Sequence, residues 1–215
     1  MPSHRIPLGL LLLSRQQITQ EQLHAALEAQ LTAGRGRIGE WLQSMGFVSA
    51  EQVTAALARQ WSCPVLRSNL PPSHAKEGPT IPLALLREYC MIPLSYVESA
   101  SRLHVAFGDA IDYTVLYAIE QMMGCHTEPC MAIPSFVNSC LEHLASREET
   151  EFVFDRMNNA AEFARIVCSY CARVSASEVR LARCGSFHWI RLIRSSRSPI
   201  DLLMRRTQAA FPAFS

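Results

Sequence analysis

The sequence of 215 residues predicts an α+β protein, in which an N-terminal helical repeat pair packs on a small mixed α/β subdomain and a short C-terminal α/β piece follows. Two observations predict this class. The N-terminal sixty residues repeat themselves with helical spacing, whereas the later residues alternate short apolar strands with amphipathic helices. With 49% hydrophobic and 18% charged residues, the chain can build a buried core, which excludes a disordered protein.

The internal repeat has an offset of 30 positions and occupies the predicted helical subdomain, residues 1–62. Each copy reads as a short helix, a turn and a longer helix. Gly46 is expected to end the second short helix in the left-handed conformation. Thr19 and Ser49 are expected to cap the longer helices, each with a glutamine at the capping-box position three residues later.

Helical hairpins that only pack against each other would explain the Leu, Ala and Ile of this repeat. They explain less well why both longer helices end at a glutamine, Gln30 and Gln60, and why a glycine stands in each short helix, at Gly9 and Gly39. A glycine inside a helix costs roughly 1 kcal/mol relative to alanine. The paired glycines therefore suggest that something approaches the backbone closely.

The second copy reads Arg37-Ile38-Gly39-x-x-Leu42-x-x-x-Gly46-x-Val48, followed by Val53, Leu57 and Gln60. This pattern resembles the nucleotide-binding motif of the MshEN domain, the N-terminal region of type II secretion and type IV pilus assembly ATPases. In that family, two such motifs in tandem bind cyclic di-GMP. The resemblance implies one motif at residues 7–30, a second at 37–60, and a spacer at 31–36.

The chemistry of the repeat suits that ligand, because an arginine can donate a bidentate pair to guanine O6 and N7, and backbone N–H groups at a helix start can meet a phosphate. The resemblance implies the following ligand-binding residues: Leu8, Gly9, Leu12, Leu23, Leu27 and Gln30 in the first half, and Arg37, Ile38, Gly39, Leu42, Val53, Leu57 and Gln60 in the second.

The first motif departs from the family pattern at two positions. Pro7 replaces the arginine and Gln16 replaces a glycine, so half of the arginine pairing is missing unless Arg5, two residues earlier, substitutes. Losing one bidentate contact costs roughly 1–3 kcal/mol. The protein could therefore still bind the nucleotide weakly through this half, or nucleotide binding could have been lost.

Residues 63–145 are predicted to form the α/β subdomain, with strands at 64–66, 92–97, 102–107 and 128–133 and helices at 112–123 and 134–143. The strand at 102–107 is followed by Gly108-Asp109-Ala110, where the family usually has Ala-Asp-Pro. Asp109 is therefore a further candidate for ligand binding. A turn or a helix cap is the alternative role for an aspartate at this place.

The charged stretch at 146–160 is predicted to be a linker. Residues 161–215 then read as a helix at 161–174, strands at 175–182 and 186–193, and a helix at 199–206. Two short segments in this part resemble the region just before the motor core of the ATPases. The resemblance implies a truncated, eroded piece of their second domain.

Two other functions compete for the C-terminal third. Cys168, Cys171, Cys184 and His188 have zinc-finger-like spacing, but the first two lie inside a predicted helix without the usual presenting turn. From Arg165 onward there are nine arginines against two acidic residues, a surface that could attract a polyanion. No nucleic-acid recognition motif accompanies them, which favours a solvated or partner-facing surface. We therefore predict neither a metal site nor nucleic-acid binding.

Sequence features also restrict the activity and the compartment. The single lysine, Lys76, does not follow a glycine, which excludes a P-loop, and no hydrolase or metalloprotease motif is present. No apolar run approaches the length that spans a membrane, and the eight cysteines lie mostly in apolar stretches of a chain that needs no disulfides. We predict a cytoplasmic, non-catalytic cyclic di-GMP receptor that contacts a protein partner, with a ligand-blind interaction module as the alternative.

Overall fold

The computed structural model describes residues 5–66, 80–144, 151–155, 159–195 and 197–205. Within these ranges the chain forms eight α-helices and two mixed β-sheets, which confirms the predicted α+β class. None of the helices in the described ranges has the length and apolar character needed to cross a membrane.

The N-terminal repeat forms two helical hairpins. Their helices are α1 (Leu8–Ser14), α2 (Gln20–Ala33), α3 (Ile38–Ser44) and α4 (Ala50–Gln60). Thr19 and Ser49 each accept a hydrogen bond from the backbone N–H three residues later, and the glutamine at that position bonds back, so both capping boxes are confirmed. Gly46 follows α3 with a φ of +71°, the left-handed conformation predicted for it.

The two hairpins pack crosswise, with α2 on α3 and α1 on α4. Their shared core contains four pairs of residues that the repeat offset aligns: Leu12 with Leu42, Ile18 with Val48, Leu23 with Val53, and Ala26 with Ala56. Full burial of a large aliphatic side chain contributes about 1.5–3 kcal/mol. The sequence repeat is thus the signature of one core filled equally by both copies.

The α/β subdomain is built around a β–α–β unit, which consists of two parallel strands, 102–107 and 126–131, and the helix that connects them. The described part of the whole subdomain contains six α-helices and β-strands. Its elements are α5 (Leu83–Glu88), β1 (Met91–Val97), β2 (Arg102–Phe107), α6 (Tyr113–Met123), β3 (His126–Met131) and α7 (Pro134–Leu144). The sheet order is β1-β2-β3, antiparallel between β1 and β2 and parallel between β2 and β3. The strand predicted at 64–66 is reduced to one bridge, between Val65 and Met131. Asp112 caps α6 and Gly124 ends it.

The C-terminal part is a four-stranded sheet covered by one helix. Its elements are β4 (Glu151–Phe154), α8 (Ala160–Val174), β5 (Glu178–Cys184), β6 (Phe187–Arg194) and β7 (Arg197–Arg205), and the sheet order is β4-β7-β6-β5.

Two predictions for this part were wrong. The helix expected at 199–206 is the strand β7 over its described residues, because pairing with both β6 and β4 overrides the local preference. The linker expected at 146–160 contains β4 and the start of α8, since the apolar run of β4 pairs with β7. The rest of that segment, residues 145–150 and 156–158, lies outside the described residues.

The two sheets share one hydrophobic core. Residues of the second sheet, among them Trp189 and Leu203, pack with α5, α6 and the first sheet. A buried ion pair between Arg191 and Asp201 lies at this boundary, and Arg191 also donates to the carbonyl of Thr80. The C-terminal sheet is therefore held firmly against the α/β subdomain.

Candidate functional site

The arginine of the second motif reaches the α/β subdomain. Arg37 stands just before α3, its backbone N–H donates to Glu40, and its guanidinium forms an ion pair with the carboxylate of Asp109. Asp109 follows β2 through the buried Gly108, where a Cβ would lie 2.7 Å from the sulfur of Cys90. Burial raises the pKa of Asp109, and the attraction of Arg37 only partly offsets that effect.

The first half uses its arginine differently. Arg5 stands two residues before Pro7, and its guanidinium carbon lies 3.3 Å from the centroid of the Trp61 ring and 5.9 Å from that of Tyr113. The two rings are neighbours, with centroids 6.0 Å apart. Arg5 itself remains exposed, so a cation–π contact holds it without burying it.

Both arginines lie against the same short connection. Asp109 and Tyr113 are the two ends of the segment 109–113, which leads from β2 into α6. Arg37 contacts the first of them and Arg5 approaches the second. The structure thus brings the starts of both hairpins to one place on the α/β subdomain. Asp112, rather than Asp109, caps α6, so Asp109 does not have the cap role considered for it.

The terminal glutamines make reciprocal contacts. Gln30 Nε2 donates to the carbonyl of Gly36, 2.8 Å away, and Gln60 Nε2 donates to the carbonyl of Ile6, 2.6 Å away. Gly36 and Ile6 each precede the first residue of a motif. Each long helix therefore holds the start of the other hairpin. These bonds give the glutamines a structural role that applies with or without a ligand.

Most of the apolar residues and glycines implied for the ligand lie inside the hairpin core. Leu12, Leu23, Leu42, Val53, Gly9 and Gly39 are buried. A Cβ at Gly9 would lie 2.6 Å from Leu23, and one at Gly39 would lie 3.2 Å from Val53. The close approach predicted for these glycines is therefore made at least in part by the protein's own side chains. Partly or fully exposed are Arg5, Leu8, Leu27, Gln30, Arg37, Ile38, Leu57, Gln60 and Asp109.

Sequence reasoning missed two residues of this region, Trp61 and Tyr113. Trp61 directly follows Gln60, at the end of the second motif, and Tyr113 follows the cap of α6. Their signal was weak, because an aromatic residue at a helix end more often belongs to the core. Only the fold places both rings beside Arg5.

The zinc-like spacing in the C-terminal part does not produce a cluster. Cys184 pairs with Phe187 on the adjacent strand and faces the shared core, whereas His188 faces α8 and contacts the Phe163 ring. Burial raises the pKa of Cys184 to about 12, which keeps it a thiol. No three His, Cys, Asp or Glu side chains in the described ranges are placed to hold a metal ion.

The fold and the site define a class of α+β domain, in which two tandem helical hairpins contact a β–α–β unit through the residues at their N-terminal ends. The family model of the MshEN domain matches residues 61–151, which include the whole β–α–β unit. Within residues 61–151 the chain therefore matches the MshEN domain family.

A solved structure described as MshE with cdg is 26% identical in sequence, with a TM-score of 0.52. The alignment covers 65% of this chain and 99% of that one, and so extends beyond residues 61–151.

Two longer proteins are also similar. The type IV pilus assembly ATPase PilB of Thermus thermophilus is 29% identical over 140 residues, and bacteriophage adsorption protein B of Escherichia coli K12 is 30% identical over 145 residues. These alignments cover 63% and 66% of the present chain, but only 15% and 18% of the two relatives. The similarity thus concerns one module of each relative.

Proposed function

We propose that the chain is a non-catalytic receptor for cyclic di-GMP. The observation that carries the proposal is the position of Arg5 and Arg37, which lie against the two ends of one connection. Two guanidinium groups on one surface suit a ligand with two guanines and two phosphates, because arginine can bind either group bidentately. The similarity to MshE, whose solved structure is described as a complex with cdg, supports the same ligand.

Asp109 would prepare the second half of the site. A guanidinium has five N–H donors, and a single carboxylate engages only some of them. The ion pair therefore orients Arg37 while leaving donors for a guanine or a phosphate. Such preorganisation lowers the entropy lost when the ligand binds.

Helix α6 offers a physical route from this site to the second sheet. It begins at Tyr113, beside Arg5, and its last turn is bonded to the C-terminal part: the carbonyl of Met122 accepts from Arg180, and Gln121 donates to the carbonyl of Leu181. A ligand that clamps both hairpins on the 109–113 connection would favour one position of α6. The resulting population shift would change the surface offered to a cytoplasmic protein partner in a secretion, pilus or signalling assembly.

The second candidate function is a ligand-blind interaction module. It is favoured by Pro7, by the glycines whose neighbouring space is filled by Leu23 and Val53, and by the internal hydrogen bonds of both glutamines. Each of these features would serve packing alone. The different names of the two longer relatives also agree with a module that is used in more than one assembly.

Calorimetric titration of the full chain with cyclic di-GMP separates the two functions. The receptor proposal expects saturable binding, and Arg37→Ala should weaken it by about 5- to 150-fold because a bidentate contact is lost. Arg35→Ala is the matched control, since this arginine is also exposed and lies two residues away, and it should leave the affinity unchanged.

The outcomes are distinct. If tens of micromolar wild-type protein gives no binding heat, the receptor proposal is wrong and the interaction module remains. If the wild type binds and Arg37→Ala binds equally well, the function stands but the site assignment is wrong.

A further inference from the structure

A cluster of one cation and two aromatic rings includes Arg5, which precedes by two residues the position where the first motif lacks its arginine; Arg5 and Tyr113 are exposed, and Trp61 is partly buried. We call Arg5, Trp61 and Tyr113 the aromatic ledge. The guanidinium of Arg5 lies over the Trp61 ring, and the Tyr113 ring lies next to both. Tyr113 is 39% exposed, so its ring is available to a ligand. The ledge and the Arg37–Asp109 pair are at opposite ends of the 109–113 connection.

We propose that the aromatic ledge is a stacking subsite that takes the base of the first half of the ligand. The chain would then bind cyclic dinucleotides that carry guanine in one half and either purine in the other. This inference rests on the proposed receptor function and specifies its ligand class.

The physical reason is the difference between stacking and edge recognition. A bidentate arginine reads the O6 and N7 acceptors of guanine, which adenine does not present in that form. A planar ring or guanidinium instead contacts the face of the base, and every base has such a face, so stacking tolerates different bases. Arg37 can read guanine, whereas the first half has Pro7 at the reading position and, two residues earlier, the guanidinium of Arg5 lying flat over the Trp61 ring.

The cluster can also compensate for the missing contact. Stacking of a base on an aromatic ring strengthens binding by about 5- to 150-fold, the same range as a bidentate pair to guanine. Arg5 is already held on Trp61, so less conformational freedom is lost when a base arrives. The substitution at Pro7 would therefore change the selectivity of the first half more than its affinity.

Three ligands test the inference on the full chain by calorimetric titration: cyclic di-GMP, the mixed cyclic GMP–AMP, and cyclic di-AMP. We expect the mixed ligand to bind within about threefold of cyclic di-GMP, because its adenine can stack on the ledge. Cyclic di-AMP should bind about 5- to 150-fold more weakly, because one adenine must face Arg37.

A mixed ligand as weak as cyclic di-AMP would overturn the inference while leaving the receptor function in place. No binding of cyclic di-GMP itself would instead overturn the receptor function, so the two failures are distinguishable.

Substitutions locate the subsite. Tyr113→Ala should weaken cyclic di-GMP and the mixed ligand by a similar factor, about 5- to 150-fold, and Tyr113→Phe should retain the affinity because the ring remains. Tyr117→Ala is the matched control, since Tyr117 lies one turn later on α6, is 66% exposed and is not part of the ledge. Both positions are exposed, and circular dichroism verifies that each variant folds. Unchanged affinity of Tyr113→Ala for both ligands would reject the ledge.

Discussion

The guanidinium of Arg37 forms an ion pair with the carboxylate of Asp109, and this contact joins the start of α3 to the end of β2. The two side chains are 58% and 39% exposed, so the pair contributes little to the free energy of unfolding. Its significance is geometric, because it fixes an arginine of the helical repeat on the α/β subdomain. Asp109 remains at this place although burial disfavours its charged form.

The raised pKa of Asp109 predicts how the free energy of unfolding changes with pH. A carboxyl with a higher pKa in the folded state contributes stability that is fully present below its unfolded pKa and is lost as the pH rises through its folded pKa. Asp109→Asn does not ionise, so near neutral pH this variant should be at least as stable as the wild type. As the pH falls, the wild type should gain stability relative to the variant. Urea unfolding at a series of pH values measures the difference.

The expected difference is small, because solvent screens a side chain that is 39% exposed. Asp155→Asn is the control for the loss of a carboxylate, since Asp155 is 82% exposed. A neutral-pH destabilisation confined to Asp109→Asn would mean that attraction to Arg37 outweighs the burial of the carboxyl.

Substituting Gln60 and Gln30 separately tests whether each glutamine holds the segment that precedes the other hairpin. Gln60→Ala removes the bond to the carbonyl of Ile6 and should release the segment that carries Arg5. Trp61 would then become more accessible, whereas Gln30→Ala, which frees Gly36 instead, should not affect it. Acrylamide quenching of tryptophan fluorescence in a Trp41→Phe background reports on Trp61, because Trp189 is fully buried.

A single hydrogen bond of this kind contributes about 0.5–1.5 kcal/mol, so both variants should remain folded. Equal quenching in the two variants would show that Gln60 does not hold the Arg5 segment.

Much of the fold could be predicted because its signals are local. The repeat aligns core pairs such as Leu12 with Leu42, each capping box spans only four residues, and the alternation at 102–107 matches β2 over its whole length. Strand β7 was missed because it is defined by its neighbours. Its residues 201–204 are buried on both faces, and apart from Asp201 they read as a short apolar run, which does not distinguish a strand from a helix.

In the candidate site, too, local motifs could be predicted, whereas contacts between distant parts of the chain could not. Arg37 and Asp109 could be named from motifs, although they are far apart in the sequence. The contact between Arg5 and Trp61 could not be predicted, because nothing in the spacing of the two residues indicates it. Nor could the sequence show that Gly9 and Gly39 are approached by Leu23 and Val53, since that depends on how the hairpins pack.

The turn between β5 and β6 should be unusually sensitive to a methyl group. Gly185 has a φ of +49°, and a Cβ there would lie 1.9 Å from the hydroxyl oxygen of Tyr89. Gly185→Ala therefore combines a left-handed backbone cost of roughly 1–2 kcal/mol with overpacking of about 1–3 kcal/mol. Gly46→Ala is the matched control, because Gly46 has a φ of +71° and no neighbouring atom within 4 Å.

Urea unfolding should therefore show a larger loss of free energy for Gly185→Ala than for Gly46→Ala. Equal losses would indicate that Tyr89, at the end of α5, moves aside to accommodate the methyl group.

The buried ion pair at the boundary between the sheets leads to the largest electrostatic effect on stability that we predict. Arg191 and Asp201 are only 6% and 5% exposed, and their closest atoms, Nη2 and Oδ2, are 2.6 Å apart. Asp201 also accepts a hydrogen bond from Trp189 Nε1. Asp201→Asn leaves Arg191 as a buried, uncompensated charge, which should lower the free energy of unfolding by about 3–5 kcal/mol. Glu178→Gln breaks the exposed ion pair between Glu178 and Arg180, whose side chains are 52% and 38% exposed, respectively. This variant should lose less than about 1 kcal/mol of the free energy of unfolding.

A double variant separates the loss of the pair from the burial of a lone charge. Arg191→Met combined with Asp201→Leu removes both charges, and such apolar replacements are often neutral or stabilising. We therefore expect the double variant to recover most of the stability lost in Asp201→Asn. If it remains as unstable as the single variant, the bonds from Arg191 to Thr80 and from Trp189 to Asp201 would be the stabilising interactions at this boundary, rather than the neutralisation of charge.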